Sequence, residues 1–148
     1  MFGHVRTQIR NAFREELQLT LSADYDIYSS RKYRLNVTDR PMIDMRFASV
    51  DIAAQTMGKL RTGKGALYIR VQRTATEDEI DDLLDQDEVN VTSVIEAADW
   101  SSLLEEDPEL TQVTFADDAM GETPIGMIVM RYDVEYRIAK TDPETVRT

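Results

Sequence analysis

The sequence predicts an α+β domain, with a largely antiparallel sheet of four to five strands and two helices packed on one face. Three patterns carry that reading. Val5, Ile9, Phe13 and Leu17 recur every four residues, the spacing of one helical face. ALYIRVQR and IGMIVMRYDVEYRIAK alternate apolar and polar residues, the period of half-buried strands. The order along the chain is helix, strands, helix, strands, without the regular βαβ alternation of a parallel sheet.

The first helix is expected over roughly residues 3–19, and DIYSSR follows as a short extended piece. In PMIDMRFASVDI, Ile43, Met45 and Phe47 alternate with Asp44 and Arg46, which predicts a strand. A polar, glycine-punctuated connection then leads to ALYIRVQR. Thr76 and Glu79 form a capping-box pattern that opens the second helix, with acids in its first turn where they suit the macrodipole. Ile80, Leu84, Val91 and Ile95 hold its apolar face, and DQDEVNV is where it would bend or break. Asp99 to Pro108 reads as a loop, LTQVTFAD as a short strand and ADDAMGETPIG as a turn-rich link. In the closing strand, Ile128, Met130, Tyr132, Val134, Tyr136 and Ile138 share one face. Residues 1–140 are expected to form a single domain, and 141–148 a frayed tail.

GKLRTGKG, from Gly58 to Gly65, matches the phosphate-binding pattern G-x-x-x-x-G-K-[ST] except at Gly65. The missing hydroxyl is the one that would hold Mg²⁺. The stretch also leads into a strand, so it lacks the helix N-terminus that cradles phosphates. It is expected to be a long hairpin loop, mobile over Ala53–Gly65 and ordering against a neighbour. Gln55, Met57, Lys59, Leu60, Arg61 and Lys64 are its candidate contact residues.

The chain has no cysteine and one histidine, His4. That removes disulfides, thiol nucleophiles and zinc sites built on Cys or clustered His. No apolar run approaches the ~20 residues of a membrane span, and MFGHVRTQIRNAF lacks the apolar core of a signal peptide. The net charge of −11 is unevenly laid out: residues 1–73 hold 13 Lys/Arg against 7 Asp/Glu, whereas 74–130 hold 17 Asp/Glu and no Lys or Arg. Asp81, Asp82, Asp85, Asp87 and Glu88 form a candidate acidic face; Arg6, Arg10, Arg14 and Arg31 form a candidate basic one. Complementary patches of this kind steer association and fix its register. The acids do not fall in the register of an EF-hand loop, so no metal, cofactor or catalytic set is expected.

Taken in order, VRTQIRNAFREEL, DIYSSR, MIDMRFASV, ALYIRVQR, an Asp-rich helix ending in VIEAA, LTQVTFAD, TPIGMIVMRY and DVEYRI resemble the tail terminator (tail completion) proteins of long-tailed bacteriophages and related gene transfer agents. The resemblance covers most of the chain. It departs in the long helix middle, DQDEVNVTSV. It implies a structural virion protein rather than an enzyme: a homo-hexameric ring that caps the head-proximal end of the tail tube and ends its polymerisation. Its partners would be the tail tube protein and a head–neck connector or head-completion protein. DNA would be only passing cargo in the lumen, and no cofactor or membrane is implied. Assembly would take place in the host cytoplasm. Two alternatives stand beside it: another neck or tail-completion ring component, and a small acidic ligand-binding domain or enzyme.

Overall fold

The period-four stripe of the N-terminal segment becomes helix α1, Val5–Leu21, and every residue of the stripe is buried. The structure, a computed structural model, describes residues 4–30, 40–54, 60–76, 78–118, 125–139 and 142–146. His4 caps α1, its Nδ1 accepting from the Arg6 amide at 3.1 Å, which satisfies one of the orphan donors of the first turn. At the other end the Arg40 guanidinium donates to the carbonyls of Ser22, Ala23 and Tyr25, a cation placed where the helix dipole favours one.

The strands are β1 (Asp26–Ile27), β2 (Met42–Ala54), β3 (Leu60–Thr74), β4 (Glu109–Asp118), β5 (Ile125–Ala139) and β6 (Asp142–Val146); α2 spans Ile80–Ala97. The sheet runs β1-β2-β3-β5-β4, with β6 joined to the end of β5. Only the short β1–β2 pairing is parallel. The two helices cover one face, α1 on the β2 side and α2 on the β5 side. Beneath them lie Ile43, Met45, Leu67, Ile69, Val71, Ile128, Met130, Tyr132, Val134 and Tyr136, one face of three alternating strands. Phe13 joins the layers, its ring 4.2 Å from that of Trp100 and edge-on to Tyr132.

The α+β architecture agrees with the sequence reading, and four details correct it. First, β2 and β3 extend as a paired ribbon to Ala54 and Leu60, so most of the expected loop is strand. Second, α2 begins at Ile80; Thr76 accepts from the Glu79 and Ile80 amides through its carbonyl, and the helix makes no side-chain cap bond. Third, DQDEVNV neither bends nor breaks the helix, which runs without interruption from Ile80 to Ala97. The apolar stripe keeps its spacing through that stretch, and packing decides where propensity is weak. Fourth, Asp142–Val146 is not frayed but pairs with the end of β5 as β6.

Two glycines of GKLRTGKG, Gly63 and Gly65, have a packing role. Gly63 and Tyr136 are directly opposite across β3 and β5. A Cβ on Gly63 would lie 2.5 Å from the Tyr136 ring, and one on Gly65 would lie 3.0 Å from the Phe47 ring. Bare backbone at these positions lets an aromatic ring lie flat on the strand, a use of glycine within sheets. Gly63→Ala is expected to cost about 1–3 kcal/mol through overpacking against Tyr136. Urea denaturation measures it, and an unchanged midpoint would refute that role for the residue.

Candidate functional site

An interior clamp fixes the two helices over the sheet and so sets where the outer surfaces lie. Arg73 continues the Leu67, Ile69, Val71 period of β3 and therefore points to the helix side. Asp87 sits in the Ile80, Leu84, Val91, Ile95 stripe of α2 and is only 1% exposed. The Arg73 guanidinium grips its carboxylate at both oxygens, at 2.7 and 2.6 Å. The Tyr25 hydroxyl, from the turn after α1, donates to Asp87 Oδ1 at 2.5 Å and accepts from Asn90 Nδ2 at 3.0 Å. Burial works against the Arg73 charge, and the carboxylate more than offsets it, so its pKa is raised.

Asp87 therefore leaves the expected acidic face. Asp81, Asp82 and Asp85 are exposed on the outside of α2, with Glu88 partly so. Separately, Glu106, Asp107 and Glu109 bring the chain into β4. Together with Asp51, Asp133 and Glu135 they line a cleft of about 270 Å³ that also holds Lys64 and Arg131. Among the described residues no group of three His, Asp or Glu is placed to hold a metal ion.

The basic surface lies at the other side of the sheet. Between the start of α1 and the outer edge of β2, an open cleft of about 520 Å³ is lined by His4, Arg6, Thr7, Arg10, Met45, Arg46 and Phe47. Arg10 is held there by the Ser29 carbonyl and the Thr7 hydroxyl. Arg14 is not part of this cleft; its Nε is buried in the fold and has no hydrogen-bond partner. Arg31 lies outside the described residues. Arg46, which the sequence analysis did not single out, borders this cleft only through its place in β2; its guanidinium lies over the Tyr68 ring, 5.5 Å from its centre, on the sheet face away from the helices.

The expected contact loop is redistributed. Leu60, Arg61 and Lys64 are strand residues of β3, paired with Ala139, Ile138 and Glu135; Gln55, Met57 and Lys59 lie outside the described residues. On the sheet face away from the helices, Asp44 and Arg70 form a second two-pronged pair, at 2.9 and 2.5 Å, between directly opposed residues. Asp44 is 1% exposed, so this pair is part of the architecture rather than a free charge. Among the described residues, no helix is long and apolar enough to cross a membrane.

Removing one partner of a buried pair strands the other charge, so Arg73→Met is expected to cost about 3–5 kcal/mol, read from denaturant midpoints. A loss below 1 kcal/mol, roughly the worth of a surface pair, would refute the clamp. Burial first, and the Asp87 bond second, push the Tyr25 hydroxyl from 10.0 up to about 12. The folded state thus holds that proton more tightly than the unfolded chain. The stability linked to it is complete below pH 10.0 and is lost as pH rises towards about 12. Tyr25→Phe should cost ~1.5–3 kcal/mol at neutral pH, and its deficit against the parent should shrink across that alkaline window. A constant deficit there would contradict the assignment.

No protein-family model matches the chain, and no curated protein matches it in sequence. The functional reading rests on these surfaces and on the residue pattern.

Proposed function

We propose that this chain is a ring-forming structural protein that caps the head-proximal end of a phage-like tail tube and joins it to a head–neck complex. The observation that carries the reading is the placement of unlike surfaces at the two sides of one sheet. Arg6 and Arg10 flank the β2 edge on the helix side, and Arg46 extends from β2 on the other face. Glu106, Asp107 and Glu109 lead into and open β4 at the opposite edge, and further acids crowd the exposed face of α2. A ring of identical subunits closes only when each offers two different, complementary surfaces. The ordered resemblance over most of the chain supplies the class of ring.

In this reading the protein works by shape and self-association. The ring would sit on the last tube layer, withhold the surface on which another layer would add, and offer its far side to the head–neck partner. The interior ion pairs would keep each subunit rigid enough to act as a template.

The reading is tested by imaging and by tube length. The purified protein should form six-fold rings in negative stain, and adding it to polymerising tail tube protein should arrest elongation. A monomer at all concentrations, or tubes of unaltered length, would sink it. Exposed ion pairs are worth ~0–1 kcal/mol each and are screened beyond a Debye length of ~10 Å at 0.1 M salt. Raising salt to ~0.5 M should therefore slow ring assembly, as followed by light scattering. Assembly indifferent to salt would remove the charged surfaces from the account.

A further inference from the structure

Among the described residues, both outer strands of the sheet carry long edges with no strand beside them. β1 pairs with β2 only at Met42 and Ile43, so among the described residues the outer side of β2 from Met45 to Ala54 has no strand beside it. The outer side of β4, Glu109–Asp118, likewise has none among the described residues. Free edges are usually guarded by lysine, proline, brevity or bulges. Neither of these two stretches contains Lys or Pro, and each has a single irregularity, at Phe47/Ser49 and Leu110/Gln112. Small side chains stand exposed along both, Ala48 and Ser49 on β2, Thr111, Thr114 and Ala116 on β4. They leave the main chain accessible.

The two edges fit each other in direction, shape and charge. β2, β3, β5 and β4 alternate in direction across the sheet, so β2 and β4 run oppositely. A second copy rotated about an axis along the strands keeps those directions, and its β4 would meet β2 antiparallel, the more stable pairing. Phe115 is 53% exposed. It lies opposite the buried Ile128, which puts its ring on the helix side of the sheet. The cleft at the β2 edge is on that same side, with Met45 and Phe47 as its apolar wall and Arg6 and Arg10 beside it. An aromatic ring among arginines gains from both burial and cation–π attraction. The sequence brackets β4 with carboxylates, Glu106 and Asp107 before it, Glu109 at its start and Asp117 and Asp118 at its end, opposite in sign to Arg6 and Arg10 beside the β2 edge.

We infer that copies of this chain join head to tail through sheet continuation: β4 of one copy adds antiparallel to the free edge of β2 of the next, with Phe115 seated in the cleft beside the start of α1. This rests on the reading of the chain as a ring subunit and identifies the joint. Main-chain hydrogen bonds supply the bonding, and the Phe115 knob sets the register.

The absence of cysteine makes the joint directly testable. Ala48→Cys and, separately, Thr111→Cys, Thr114→Cys and Ala116→Cys are mixed pairwise under oxidising conditions. Antiparallel neighbours lie within disulfide reach, so at least one mixture should give a dimer absent from either variant alone, and the matching double variant should give a ladder up to the closed ring. Phe115→Ala should leave the monomer's thermal unfolding unchanged and abolish oligomers. Rings that form without any β2–β4 cross-link, or that survive Phe115→Ala undiminished, overturn this joint and leave the ring reading standing. Cross-linking of Ala48→Cys with itself in place of the mixed dimer shows like edges meeting and also overturns it. A chain that stays monomeric overturns both.

Discussion

Asp87 is the point on which the arrangement of layers depends. Its carboxylate is removed from water, and three elements compensate for that: β3 through Arg73, the turn after α1 through Tyr25, and α2 itself, whose Asn90 completes the Tyr25 hydroxyl. Apolar packing alone would hold two helices on a sheet with some freedom to slide. A desolvated charge tolerates little displacement, because stretching its bonds exposes the full desolvation cost. The pair is poor as a source of net stability compared with an apolar pair of the same volume. It does tie helix placement to strand register. That placement puts α1 beside the β2 edge and α2 over β5 and β3, and so decides which charges gather where.

Glycine does a second, complementary job. Where the helix layer gives way towards the distal ribbon, Gly63 and Gly65 let Tyr136 and Phe47 lie against the strands. Gly126 does the same under α2, where a Cβ would lie 2.5 Å from Ile80. These close approaches keep the sheet covered without adding secondary structure. A motif that looks like a phosphate cradle is thereby explained by the rings packed above it, and its lysine, Lys64, faces an acid-rich cleft instead.

The proposed capping role needs little from the chain in chemistry and much in geometry. A ring subunit must be stiff, must present two unlike sides, and must avoid meeting its own kind in the wrong orientation. Opposite charge on the two sides serves the last requirement, since like sides repel before they touch. The unguarded edges of β2 and β4 would be a hazard in a protein meant to stay alone. In a subunit that joins others they are the means of joining.

Much of the fold was legible in the sequence, because helices and strands announce themselves through local periodicity. The stripe of α1, the alternation in β3 and β5, and the charge asymmetry between the two halves were all determined by residue order. Even the clamp left a trace: Arg73 falls on the apolar period of its strand and Asp87 on that of its helix, a coincidence that marks a buried pair. What the sequence could not decide was non-local. Gly63 reads as a loop residue until Tyr136 is known to lie opposite it, and a ribbon's length depends on pairing partners far along the chain. The inward turn of Asp87, the arrival of Arg6 and Arg10 beside Met45 and Phe47, and the exposure of Phe115 depend on which elements become neighbours. Burial and pairing are properties of the assembled layers, so only the tertiary structure could settle which charges were surface and which strands were edges.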